Sequence, residues 1–249
     1  MAERGTGIFL GDKKVNILQN GDMLVANPFS TEYIIEYLVY AGGGTGGNRL
    51  TYDGGGAGAG GLLSGSFTAD TSQIYQVKAG GAANDSYLTG SGIYEYTFAG
   101  GNGGGGNSVA GSTGGSGGGG GGNTGAGGSG TVGQGNDGAT SPSTQGGGGG
   151  GAGSAGSGRN GGAGLSSSIN GTSLTYCAGG AGGVNDGSGR ARGDGGYGGS
   201  SVTTSGGTGG IGGVIIRYLG PQRASGGTVT TDGDYIIHTF ENTTTTLIT

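Results

Sequence analysis

Apolar residues in this chain come in short β-branched and aromatic runs, and the stretches between those runs carry almost no side chains. The strongest run, Tyr33-Ile34-Ile35-Glu36-Tyr37-Leu38-Val39-Tyr40, stops against Ala41-Gly42-Gly43-Gly44 and predicts a strand. Weaker runs predict strands over Leu62–Phe67, Ile74–Ala79, Ile93–Phe98, Val214–Tyr218, Thr228–Thr231, Tyr235–Phe240 and Thr245–Ile248. A further pair, Ser166–Ile169 and Thr172–Cys177, is expected around Asn170-Gly171. Near the start, Val15–Leu18 and Met23–Ala26 flank Asn20-Gly21-Asp22, and Asn-Gly supplies the positive φ of a tight hairpin turn. No long window free of glycine repeats its apolar residues at the helical period, so α-helix is expected to be nearly absent.

The long tracts between strands are 42–61, 99–164 and 178–213, and they hold most of the chain's 76 glycines. A flexible Gly/Ser linker lacks the apolar surface to offset its ordering entropy, whereas 30% of this chain is hydrophobic and 12 residues are tyrosine. Collagen is excluded, because only three prolines are present and glycine keeps no every-third-residue register. The remaining ordered form is polyglycine II, an extended helix of three residues per turn. With no Cβ, such helices pack side by side and satisfy one another's N–H and C=O groups, assisted by Cα–H···O contacts. Each glycine costs about 0.5–1 kcal/mol more chain entropy than alanine, so only a cooperative lattice of hydrogen bonds, each worth roughly 1 kcal/mol net, can hold it. The expected fold class is therefore all-β, with short strands framing a packed polyglycine II helical sandwich. Residues 1–31 read as a lead or anchoring segment, 32–219 as the glycine-rich domain and 220–249 as a C-terminal strand extension.

Charge and chemistry narrow the function classes. Charged residues make up 10% of the chain, and the ten Lys and Arg are scattered, with a net charge of −5. No basic patch forms to neutralise a row of phosphates, so nucleic acid is not an expected partner. The apolar run before Gly11-Asp12-Lys13-Lys14 is too short for a secretory h-region or a membrane span, and membrane insertion is not expected. The single cysteine, Cys177, forms no internal disulfide and is expected as a small buried apolar residue. The single histidine, His238, sits in an alternating strand without evident catalytic partners, so no enzyme activity, catalytic residue, metal or cofactor is expected. At this glycine content G-x-G-x-x-G matches arise by chance and say nothing about dinucleotides. Arg192-Gly193-Asp194 is likewise read as coincidence rather than a cell-attachment tripeptide.

Several phrases together are more specific than glycine content. Tyr37-Leu38-Val39-Tyr40-Ala41-Gly42-Gly43-Gly44, Gly58-Ala59-Gly60-Gly61-Leu62-Leu63-Ser64-Gly65-Ser66 and Tyr75-Gln76-Val77-Lys78-Ala79-Gly80-Gly81-Ala82 resemble the opening of the glycine-rich domain found in phage tail-fibre and other virion proteins. The segments 164–176 and 209–218 resemble its middle and its closing strand, so the resemblance covers about 33–218 in order. Residues 226–240 resemble the strand that leads into a further glycine-rich unit. That strand offers its edge either to the N-terminal half of its own domain or to a neighbouring subunit, and intramolecular closure costs less entropy.

The resemblance implies a virion component, most often on a tail fibre or tail tip, whose loops meet a host surface. The candidate loops are 48–53, 131–145 and 184–197, and the candidate receptor-binding residues are Arg49, Tyr52, Asp53, Arg190, Arg192, Asp194 and Tyr197. Tyrosine offers a broad rigid contact face and arginine a planar donor fork. The implied partners are other virion proteins through the N-terminal segment, a host-surface glycan or protein, and further copies of the chain as a trimer. An adhesin predicts aromatic and arginine loops converging on one end of the domain. The alternative, a structural or decoration protein of the capsid or tail wall, predicts that residues 1–31 order against another virion protein. A non-viral matrix module is opposed by the missing signal segment and disulfides.

Overall fold

A computed structural model of the chain describes residues 8–10, 13–15, 32–183, 192–201 and 204–249. The first two strands, β1 (Ile8–Leu10) and β2 (Lys13–Val15), form an antiparallel hairpin with Ile8 opposite Val15. The hairpin expected around Asn20-Gly21 falls outside the described residues, Val15 apart. The main body contains β3 (Tyr33–Tyr40), β4 (Leu62–Ala69), β5 (Ile74–Ala79), β6 (Ser86–Gly90), β7 (Ile93–Thr97), β8 (Leu165–Ser167), β9 (Leu174–Tyr176), β10 (Gly213–Leu219), β11 (Thr228–Asp232), β12 (Tyr235–Glu241) and β13 (Thr243–Ile248). No α-helix occurs among the described residues.

A five-stranded antiparallel sheet runs in the order β11-β12-β10-β3-β4, and a four-stranded one in the order β13-β5-β6-β7. The two enclose a core of Ile35, Val39, Phe67, Tyr75, Leu88, Val214, Ile216, Phe240 and Leu247 among others. A second core lies on the opposite face of the five-stranded sheet, where Leu38, Tyr40, Ile215 and Ile237 meet Ile169, Tyr176 and Ala59. The apolar run of β3 follows from this position: from Tyr37 to Tyr40 it is buried on both faces, like a central strand covered from two sides, while Ile34 near its start stays exposed. Each such large side chain contributes roughly 1.5–3 kcal/mol on burial. The C-terminal strands pair within the chain, β12 against β10 with Phe240 opposite Val214, and β13 against β5 with Leu247 opposite Tyr75. Strand β6 is absent from the pattern-based expectation because only Tyr87 and Leu88 are apolar. Its neighbours β5 and β7, bonded on both sides, supply the order.

Beyond the sheets the glycine tracts pack as polyglycine II helices, recognisable because hydrogen-bond partners advance three residues at a time. Residues 53–61 form the centre. Asp53, Gly56 and Ala59 donate to Thr144, Gly147 and Gly150, while Gly54, Ala57 and Gly60 donate to Gly199, Gly196 and Gly193. Gly55, Gly58 and Gly61 donate to Gly104, Gly101 and Phe98, all three at 2.8 Å. The carbonyls accept in turn from Gly47, Gly44 and Ala41, from Gly122, Gly119 and Ser116, and from Gly183 and Gly180. The central helix thus has six neighbours, 144–150 parallel to it and the other five antiparallel, and every one of its N–H groups is used. The helix admits Ala57 and Ala59, but at Gly55 and Gly58 glycine is compulsory, because a Cβ there would lie 2.1 or 2.0 Å from a neighbouring carbonyl oxygen. The fold is the expected all-β arrangement of strands framing a polyglycine II sandwich.

Candidate functional site

The register of the helices gives the lattice two distinct ends. Ala41, Gly61, Phe98 and Gly212 adjoin β3, β4, β7 and β10, so this end meets the sheets. At about 3.1 Å per residue, the central helix carries the chain about 25 Å from there to a distal end. Loops that are far apart in sequence come together at that end. Arg49 N donates to Thr204 O at 2.7 Å, Gly106 N to Asn48 O at 2.9 Å, Ser108 N to Gly122 O at 2.8 Å and Asp53 N to Thr144 O at 3.1 Å. The Ser108 hydroxyl donates to Asn123 O, and Asn48 Oδ1 accepts from Gly206 N at 3.0 Å. The distal surface is therefore one hydrogen-bonded platform rather than separate tips.

Two of its turns carry consecutive left-handed residues: Asn107 (φ 69°) with Ser108 (φ 66°), and Asn123 (φ 70°) with Thr124 (φ 67°). Asparagine tolerates this region, but a β-branched threonine there is strained by the order of 1 kcal/mol or more. All four side chains are exposed, beside exposed Leu50 and Val109. Sequence reasoning missed these positions, although the repeated Gly-Asn-Ser and Gly-Asn-Thr interruptions at 106–108 and 122–124 are turn signals.

Of the sequence-derived candidates, Arg49, Tyr52 and Asp53 lie on this platform. Arg49 Nε sits 3.4 Å from Asp53 Oδ1, a partly exposed ion pair rather than a hydrogen bond. Arg192 and Asp194 lie at the opposite end, where Arg192 O accepts from Cys177 N and Asp194 Oδ1 from Ala178 N at 2.8 Å. The Asp194 carboxylate therefore ties two chain segments together. Tyr197 lies between the ends, on a polyglycine II helix whose Asp194 and Tyr197 carbonyls accept from Gly210 and Gly207. Arg190 lies outside the described residues. The loop expected over 131–145 divides in two: 141–145 reaches the distal platform, while Thr131 and Gln134 sit at the sheet end, where Gln134 O accepts from Leu62 N.

The titratable groups of the interior serve packing. His238 is buried between the sheets, with Nδ1 2.7 Å from Gly226 O and Nε2 3.1 Å from Tyr218 Oη. Since a carbonyl only accepts, Nδ1 carries the proton and Nε2 accepts from Tyr218, whose oxygen accepts in turn from Arg223 N and Ala224 N. Burial lowers the His238 pKa, partly opposed by the Gly226 bond. Burial beside Asp194 raises the Cys177 thiol well above its ordinary value and keeps it protonated. Tyr33 is raised to about 12, chiefly by burial. Among the described residues no group of three or more His, Cys, Asp or Glu is placed to hold a metal ion, and no helix is long and apolar enough to cross a membrane.

A family model described as a glycine-rich domain matches residues 20–219. The chain belongs to this glycine-rich domain family. No curated protein and no solved structure matches it. The matched span of the glycine-rich domain closes at the end of β10, so β11, β12 and β13 lie beyond it and yet complete both of its sheets.

Proposed function

We propose that this glycine-rich chain is a non-enzymatic phage virion protein, a tail-fibre or tail-tip component that presents its distal platform to a host surface. The observation that carries this reading is the convergence of loops 48–53, 106–109, 122–124 and 141–145, with Thr204, on the lattice end farthest from the sheets. Rigid helices hold these loops, so their side chains can vary without disturbing the hydrogen-bond lattice. The left-handed Asn-Ser and Asn-Thr pairs add support. Elsewhere among the described residues, non-glycine positive φ occurs singly, at Ser72, Ala83, Cys177, Arg192 and Asn242, whereas these two turns hold consecutive left-handed residues whose exposed side chains face a prospective ligand. Arg49, Tyr52 and the exposed Leu50 supply a donor fork, an aromatic face and an apolar anchor.

A second reading, a structural or decoration protein of the capsid or tail wall, is favoured by strand β11. It is exposed along its whole length at the edge of the five-stranded sheet, open to a neighbouring subunit. Cryo-electron microscopy of the intact virion distinguishes the two. Density at a distal tail appendage, platform outward, is the expected result. A regular array on the capsid or tail wall selects the second reading, and absence from the particle overturns both.

A further inference from the structure

A second concentration of binding chemistry lies on the flank at the sheet end, away from the distal loops. Along and just past β7, Tyr94, Tyr96 and Phe98 alternate onto the outer face of the four-stranded sheet, with Tyr94 78% and Phe98 45% exposed. Tyr87, opposite Tyr96 on β6, stacks on it with centroids 6.1 Å apart and planes at 14°. Phe98 meets the Tyr96 ring edge-on at 5.4 Å. The chain holds only five phenylalanines, and a preformed aromatic ladder left facing water is the kind of surface that marks an interaction site.

Beside Phe98 opens a cleft of about 400 Å³, lined by Asp85, Thr113, Ser129, Thr131 and glycine backbone. Its volume is that of a small-molecule site. The carboxylate of Asp85 is held in place from two directions, by Tyr96 Oη and by Ala99 N, both at 2.7 Å, and its remaining lone pairs are available to a ligand. Thr131 spends its hydroxyl proton on Gly114 O at 2.9 Å and so offers acceptor capacity.

Two features select the occupant. Strand β7 forms the sheet edge, but Gln134 already closes it: its side-chain Nε2 donates to Tyr96 O at 2.8 Å and its Oε1 accepts from Phe98 N at 3.0 Å. The amide takes the place of a neighbouring strand at the Tyr96–Phe98 end of the edge and removes two of the backbone groups a partner strand would need beside the cleft. In addition, Asp85 is the sole charged residue lining the cleft, which disfavours an anionic ligand. Flat aromatic faces next to a fixed carboxylate and hydroxyls match a molecule with apolar C–H faces and many hydroxyl groups. We infer that this flank binds a neutral saccharide chain, one ring stacked on Phe98 and hydrogen-bonded through its hydroxyls to Asp85 and Thr131, with further rings running over Tyr96 and Tyr94.

The inference is independent of what the distal platform recognises, and the test separates them. The full chain is titrated by calorimetry and saturation-transfer NMR with maltohexaose, cellohexaose and chitohexaose, and with hyaluronan hexasaccharide as the anionic counterpart. Saturable binding of at least one neutral hexasaccharide with Kd of about 1 mM or tighter is expected, weakened about tenfold by Phe98→Ala and about fivefold by Tyr94→Ser, and unchanged by Arg49→Ala. Tyr94 is largely exposed, so Tyr94→Ser leaves the fold intact and keeps the test valid should Phe98→Ala perturb it. Absence of saturable binding to every neutral chain, preference for hyaluronan, or loss of binding with Arg49→Ala alone overturns the inference. So does concentration-dependent self-association abolished by Tyr94→Ser, which would make the ladder an interface between copies.

Discussion

Adding one methyl group at Gly119 and one at Gly105 should move stability in opposite directions, although both residues lie in the long glycine tract. A Cβ on Gly119 would stand 2.1 Å from Gly147 O, well inside the 3.4 Å at which ordinary contact begins. Neither side can yield alone, because Gly119 N donates to Gly56 O at 2.8 Å, Gly119 O accepts from Gly104 N at 2.9 Å, Gly56 N donates to Gly147 O at 2.9 Å and Gly147 N to Gly120 O at 2.7 Å. Separating the helices by about 1 Å weakens or breaks these four bonds, at roughly 1 kcal/mol net each. Reduced entropy of the unfolded chain returns about 0.4–1 kcal/mol. Gly119→Ala is therefore expected to cost about 3–4 kcal/mol, which for a chain of this size lowers Tm by roughly 6–16 °C. At Gly105 the nearest atom to a Cβ is 3.8 Å away and φ is not in the left-handed region. There the unfolded-state effect acts alone, and Gly105→Ala should raise Tm by about 1–4 °C. Both substitutions are Gly→Ala, so the denatured-state contribution cancels in their difference, which calorimetric melting measures directly. Equal shifts, or a Gly119→Ala melt within about 1 °C of the parent, would refute a packed lattice in this tract.

Other expectations follow from single contacts. The His238 pKa is lowered in the folded state, so its contribution to stability is present in full above the ordinary value of about 6.5 and declines as pH falls toward the folded pKa, with a slope of at most about 1.4 kcal/mol per pH unit. Melting between pH 7.5 and 5.5 should show this decline in the parent and a flatter profile in His238→Asn; parallel profiles would remove His238 as its source. Gln134→Ala strips the cap from β7 and should cost about 1–3 kcal/mol, seen as faster amide exchange at Phe98, whose N–H it holds. Thr124→Gly relieves a strained φ while adding chain entropy, so stability should stay within about 1 kcal/mol while attachment to host cells weakens. Deleting residues 1–31 is expected to abolish incorporation into virions and leave the glycine-rich domain folded, as read by circular dichroism; normal incorporation would end the anchoring assignment.

Local pattern was enough for most strands. The bounds of β3 and β5 coincide with their apolar runs because β-branched and aromatic side chains specify both the extended backbone and the buried faces. The composition also required polyglycine II, since no other ordered packing serves so many glycines with so few prolines. Local pattern was silent on β6, whose order comes from strands on either side, and on Gln134, an ordinary polar residue until the edge of β7 is laid beside it.

The candidate site divides in the same way. That Arg49, Tyr52 and Asp53 belong to a loop is legible in the residues around them. That they share a surface with Asn123 and Thr144, while Arg192 and Asp194 lie at the far end, is not legible, because it depends on which helices run parallel and which antiparallel. Side chains encode strand faces and registers through burial, but a polyglycine helix has none to encode with. Its neighbours are chosen by backbone hydrogen bonds that are chemically identical at every position, and only tract lengths, turns and the flanking sheets decide among them. Composition and apolar pattern therefore set the class of fold and the kind of lattice, whereas the centre of that lattice and the loops that meet at its end are fixed only once the helices have packed.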